Sequence, residues 1–82
     1  MTGKKVVLAP VSFRALMQRI NRSLAKKEQQ LYRARGGRER EALGDYYVVS
    51  LSGNAVVADH VDPKAFGWEL GVLEAWESVE QA

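Results

Sequence analysis

The chain of 82 residues has no cysteine, one histidine and two prolines. Without cysteine it has neither a disulfide nor a thiolate metal site to staple a small core. The single histidine, His60, has Asp59 and Asp62 beside it in the chain. Strand alternation sends Asp59 and His60 to opposite faces, and Asp62 stands where a helix cap is needed, so three ligands do not converge. No nucleophile–base pair and no glycine-rich phosphate loop is present, so no catalytic residue, metal or cofactor is expected. Long apolar runs are missing as well. Val6–Ala9 is too short for the apolar stretch of a signal peptide and is followed closely by Arg14 and Arg19, and nothing reaches the length of a membrane span. A cytoplasmic protein with no membrane partner is the expectation.

Acids are almost missing from the first half. Residues 1–40 carry eleven Lys and Arg against Glu28 and Glu39, a balance of +9, whereas residues 41–82 carry Lys64 against eight acids, a balance of −7. The formal total of +2 hides this division. So large an asymmetry in a short chain implies a polyanionic partner for the basic half, or pairing between the halves.

With 46% hydrophobic and 27% charged residues the composition is that of a globular chain. Residues 1–82 make one domain, and a chain of this length buries only roughly 60–65% of its unfolded surface. Its core is marginal, and dimerisation is a common remedy at this size, so a homodimer is expected.

Lys5–Leu8 is a short β-branched run that Pro10 ends, an edge strand within an N-terminal segment, 1–10. Ser12 has the chemistry of a helix cap, with Val11 before it and Leu16 inside at the spacing of a hydrophobic staple. From there Phe13, Leu16, Met17, Ile20, Leu24 and Leu31 fall in one stripe at the helical period. The spacing predicts a long basic amphipathic helix over 12–35, stopped by Gly36-Gly37. Residues 36–45 read as a charged connector with room for one helical turn. A β-hairpin follows over 46–60, turning at Gly53-Asn54. A two-residue loop there sets Leu51 opposite Val56, Val49 opposite Ala58 and Tyr47 opposite His60, and this face is expected to meet the helix; a slip of one residue reverses the assignment. Asp62-Pro63 opens a short helix over 62–71 and Gly71 closes it, with Val61 and Phe66 repeating the staple spacing. Gly67 weakens that helix and marks a close approach. In the tail, 72–82, Leu73 and Trp76 are expected to pack down. The fold class is α+β, with order β-α-β-β-α: a two- or three-stranded antiparallel sheet with the long amphipathic helix packed on one face.

That helix has a second stripe. Arg19, Arg22, Lys26 and Arg33 lie opposite the apolar one, with Gln18, Gln29 and Gln30 alongside and Glu28 the only acid. A solvated helix face usually interleaves both signs, and this one repels itself by a few tenths of a kcal/mol per close pair. Neutralisation by phosphates explains the cost, and so does a solvated face covered by the chain's own acidic half. Arg35, Arg38 and Arg40, around an isolated RGG tripeptide better read as a helix terminus, extend the basic surface, and Arg14 flanks it at the other end. The leading expectation is a non-enzymatic nucleic-acid-binding protein, for DNA or RNA, using Arg19, Arg22, Lys26, Arg33, Arg35 and Arg38 on phosphates. Reversing the charge of Arg22 and Lys26 is then expected to abolish binding. The competing expectation is an adaptor or regulatory homodimer without a nucleic-acid role, whose contacts come from Trp68 and Trp76 or from an acidic protein partner. Tyr46 and Tyr47 are read as strand residues, one facing the core and one covering an edge.

Overall fold

The computed structural model describes residues 9–80. It is a small α+β domain with three helices and two sheets: β1 (Ala9–Ser12), α1 (Phe13–Ala25), β2 (Gln29–Arg33), α2 (Gly37–Leu43), β3 (Tyr46–Ser50), β4 (Ala55–Ala58), α3 (Pro63–Leu70) and β5 (Glu77–Glu80). Strands β2, β3 and β4 form an antiparallel sheet with β3 in the centre, and β1 pairs in parallel with β5. Among the described residues no helix is long and apolar enough to cross a membrane.

The Ser12 side chain caps α1, accepting from the Ala15 N–H at 3.1 Å, and both members of the staple, Val11 and Leu16, are buried. Leu16, Ile20 and Leu24 form the buried stripe of α1 and meet Leu31, Val48 and Leu73 in the core. Strand β1 runs through Pro10 instead of ending there. The Ala9 N–H donates to the Trp76 carbonyl, so alternation puts the Pro10 nitrogen on the open side of the strand, where a missing donor costs nothing. The expected strand at Lys5–Leu8 lies outside the described residues.

The long helix over 12–35 is overturned. The chain leaves α1 after Ala25, turns through Glu28 at φ 57°, and returns as β2. Leu31 suits both readings, being seven residues beyond Leu24 and also the inward residue of an alternating strand. Tertiary partners decide. The Leu31 N–H donates to Asn21 Oδ1 at 2.8 Å, and β2 supplies one flank of β3 with five paired positions, Gln29↔Ser50 to Arg33↔Tyr46. Helix-favouring Lys, Glu and Gln in this segment are overruled by a central strand that needs a partner on both sides.

The hairpin forms, with a different register. Four residues, 51–54, make the turn, so Val49 faces Val56 and Ser50 faces Ala55. Asn54 adopts φ 51° and Ser50 Oγ accepts from the Gly53 N–H at 3.2 Å, while a bulge follows between Val49 and Val48. It is also Val48, not Val49, that points at α1 and is buried, with Ala58 across from it. The face expected to meet the helix through Val49 and Tyr47 is instead the outer one.

Helix α3 runs Pro63–Leu70, with Asp62 and Gly71 as its caps. Asp62 caps it by accepting from the Lys64 N–H, Pro63 opens it, and Gly71 at φ 74° closes it. The Val72 N–H reaches the Gly67 carbonyl at 3.0 Å and the Gly71 N–H reaches that of Trp68 at 3.1 Å, a Schellman pair. Gly67 lies where α3 meets α1: a Cβ there would sit 2.8 Å from Leu16 Cδ1 and 3.2 Å from Leu73 Cδ1. Leu73 is buried as expected, but Trp76 is exposed.

Candidate nucleic-acid interface

The expected basic residues divide between two places. Arg19, Arg22 and Lys26 stay with α1; Arg33 closes β2, Arg35 follows it, and Arg38 lies on α2. No single helical stripe holds Arg33 with the other three.

Arg19 is committed within the fold. Its Nη1 donates to Glu77 Oε1 at 2.8 Å and to the Val72 carbonyl at 3.0 Å, and its Nη2 donates to Glu77 Oε2 at 3.0 Å. This fork ties α1 to β5 and the segment before it. The hydrogen bonds from Arg19 hold the Glu77 carboxyl below its ordinary range, helped by the Glu74 N–H, while the same bonds push Arg19 up. Pairing between the basic and acidic halves, one of the two expectations from the charge division, is thus realised at this residue. Arg22 and Lys26 are exposed. Arg22 lies on the side of α1 opposite Leu16, Ile20 and Leu24, and so faces away from the sheet.

A second basic cluster gathers where β2 gives way to α2. Alternation turns Leu31 inward and Gln30 and Tyr32 outward. Ala34 is then buried, its N–H donating to the Asp45 carbonyl at 2.8 Å, and Gly36 serves as the cap residue of α2. The Gly-Gly pair expected to stop a helix starts one. Glu39, in the first turn of α2, holds this corner together. Its Oε1 accepts from the Arg35 N–H at 3.2 Å and from the Tyr47 hydroxyl at 2.9 Å. That carboxylate raises the Tyr47 phenol above its ordinary range, chiefly because ionisation would break the hydrogen bond. At the next residue, Arg40 Nε pairs with Asp45 Oδ1 at 3.0 Å.

Tyr32, Arg33, Ala34, Arg35 and Arg40 line an open groove of about 480 Å³. It opens beside the outer face of the sheet, where Tyr32 pairs with Tyr47, their ring centroids 5.9 Å apart and their planes at 31°. Guanidinium groups offer forked donors that match phosphate oxygens, and a tyrosine ring offers a flat apolar surface. Arg33 and Arg35 were expected at a phosphate site from the sequence and are brought together here. Arg40 is expected only as a flank of the basic surface, and Tyr32 is not among the expected site residues. Reading Gln30-Leu31-Tyr32 as an alternating strand turns Tyr32 outward, while Arg33, across from Tyr46, starts on the helix side and reaches the groove at the end of the strand.

The remaining candidates are simply placed. Trp68 and Trp76 are 44% and 58% exposed, so neither closes the core. His60 and Asp59 lie beyond β4, not within it, and are not sent apart: His60 Nδ1 is 2.9 Å from Asp59 Oδ1, with His60 at φ 51°. Among the described residues no three His, Asp or Glu side chains lie together as a metal site. Compared with protein-family models, curated proteins and solved structures, the chain matches none.

Proposed function

We propose that the chain is a small nucleic-acid-binding protein, without enzymatic activity, whose phosphate contacts are made by Arg33, Arg35 and Arg40 in the β2–α2 groove, with Arg38 beside them. The observation that supports this reading best is the convergence of three arginines and a tyrosine ring on one open groove. Side chains of this type position nucleic-acid backbones, and the charge they neutralise makes affinity strongly salt-dependent. Arg22 and Lys26 face another direction and serve as steering charge.

The test is fluorescence anisotropy of labelled duplex DNA, single-stranded DNA and RNA at rising salt. The double variant Arg33→Glu/Arg35→Glu is expected to lose binding while remaining folded, and Arg22→Glu/Lys26→Glu to retain most of it. With single strands, log K should fall against log salt with a slope of about −0.7 for each phosphate contacted. If none of the three nucleic acids shifts the wild-type protein at low salt, the reading is wrong.

Exposure of Trp68 and Trp76 favours a second reading, a protein-contact module or homodimer. Sedimentation across protein concentration separates the two readings: self-association abolished by Trp68→Ala or Trp76→Ala, with no nucleic-acid binding, supports the second.

A further inference from the structure

We infer that the nucleic acid taken by this groove is single-stranded, with one base stacked on the Tyr32 ring; this rests on the reading of Arg33, Arg35 and Arg40 as phosphate contacts. The outer face of the three-stranded sheet is where the inference starts. Strand pairing sets two rows across it, Tyr32 beside Tyr47, and Gln30 beside Val49 and Val56. Helix α1 covers the other face, through Leu31 and Val48. Among the outer residues Tyr32 and Val56 are exposed, at 36% and 44%, and the rest are half-buried. The face is thus apolar and aromatic, and Gln30 adds an amide able to bond a base edge.

Tyr32 is well prepared as a platform. It lies on an edge strand, and its ring has Tyr47 as a neighbour on the central one. Tyr47 is itself anchored, since its hydroxyl donates to Glu39. A cross-strand tyrosine pair alone needs no ligand, and β-strands favour such rings for packing. What sets this pair apart is its position: Tyr32 forms a wall of the same groove as Arg33, Arg35 and Arg40. Arginines tracking a backbone beside an aromatic ring on a sheet face are the two components that single-strand binding combines.

The surrounding acids argue against a duplex. Glu39 on α2 accepts from the Arg35 N–H, and Asp45 after it pairs with Arg40, so both carboxylates lie next to the arginines. The continuous double row of phosphates on a duplex would be pressed against these carboxylates. A single strand places its phosphates on the arginines alone and turns its bases toward the tyrosine. Bases in a duplex are stacked on one another and offer no free ring face to Tyr32.

The test measures affinity for a labelled single strand of about ten nucleotides, within the span such sites cover. The same length is also presented as an abasic strand and as a duplex, and as RNA in place of DNA. Tyr32→Ala is expected to weaken binding to the base-bearing strand about 5- to 100-fold, in keeping with the contribution of one stacked base. Tyr32→Phe keeps the ring and is expected to stay within about threefold of wild type, since stacking uses the ring face and not the hydroxyl. Neither substitution should change affinity for the abasic strand or the slope of affinity against salt. Circular dichroism confirms that both variants fold. Equal binding of base-bearing and abasic strands, a preference for the duplex, or an unaltered Tyr32→Ala variant overturns the inference while leaving the arginine reading intact. An Arg33→Glu/Arg35→Glu variant that binds every strand as the wild type does overturns the reading itself. Self-association lost in Tyr32→Ala, with no strand bound, assigns the face to a second copy of the chain and overturns both.

Discussion

Gly44 joins α2 to β3, and replacing it with alanine is expected to cost more than any exposed position warrants. Its backbone has φ 78° and ψ −174°, a region open essentially to glycine alone, where another residue costs about 1–3 kcal/mol. Space is missing as well. A Cβ there would lie 2.7 Å from His60 Cα, 2.9 Å from its Cδ2 and 3.1 Å from its Cγ. The nearest of these atoms is backbone, held by the His60 N–H bond to the Leu43 carbonyl at 2.7 Å, so it cannot swing aside as a side-chain tip can. Overpacking of this kind typically adds 1–3 kcal/mol, and the lower entropy of an unfolded alanine chain returns only about 0.4–1 kcal/mol. The net loss is about 3 kcal/mol, a large part of the stability of a domain this small. At roughly 4–8 °C per kcal/mol, the melting temperature should fall by about 12–24 °C. Thermal melts followed by circular dichroism measure this, with Gly37→Ala as the control. Gly37 opens α2 at ordinary φ with nothing within 4 Å of the added atom, so that variant should melt at or slightly above the wild-type temperature. A Gly44→Ala protein melting within about 3 °C of wild type would refute the reasoning, because both the strain and the overlap predict more. The change also reaches the groove, since Asp45 next in the chain holds Ala34 and Arg40.

Two further outcomes follow from the turn after α1 and from the Arg19 fork. Glu28→Gly relieves a left-handed residue at φ 57° and should leave stability unchanged or raise it by up to about 1 kcal/mol; a helix continuing through this point would instead lose about 1 kcal/mol, so urea denaturation reads the topology from the sign of the change. The Glu77 carboxyl is held below its ordinary value first by Arg19, so its contribution is fully present above the unfolded glutamate value of about 4.3 and disappears as pH falls through the lower folded value. Wild type should therefore exceed Glu77→Gln in melting temperature at neutral pH, with the gap closing in acid; a gap constant down to pH of about 2 would count against the ion pair.

The parts of the fold legible in the sequence are those set by neighbours in the chain. Ser12 before an apolar stripe, Asp62-Pro63 before another and Gly71 after it each satisfy or release backbone groups within a turn; α1 and α3 begin at the first two, and α3 ends at the third. What lay beyond reach depends on partners far along the chain. Leu31 is compatible with helix or strand until Asn21 and β3 accept it. Strand β5 is four residues, Glu-Ser-Val-Glu, whose pairing with Ala9–Ser12 closes almost the whole chain length. The candidate site follows the same division. Arg33, Arg35 and Arg38 could be found by charge, but Tyr32 becomes a site residue only once β2 is a strand. Its opposite number, Tyr47, faces outward because Val48 beside it is the residue of β3 that fills the core.

The same shift of topology changes what the charge asymmetry means. On one continuous helix, Arg19, Arg22, Lys26 and Arg33 would have formed a stripe suited to a straight polyanion. Ending the helix at Ala25 divides that stripe and gives its members different partners. Arg19 meets Glu77, whose side chain is 11% exposed, in a two-pronged contact, and a third bond reaches the Val72 carbonyl. Releasing it to a foreign phosphate would strand a shielded carboxylate, which is costly. Arg40 meets Asp45 with both side chains more than half exposed, and water and salt already compete for such a pair. A phosphate arriving at the groove can take Arg40 while Asp45 returns to solvent at little cost. The acidic half therefore neutralises the basic half where the contact builds the fold, at Arg19. At Arg33, Arg35 and Arg40 it leaves the positive charge available for exchange, and those are the residues that rim the groove beside Tyr32.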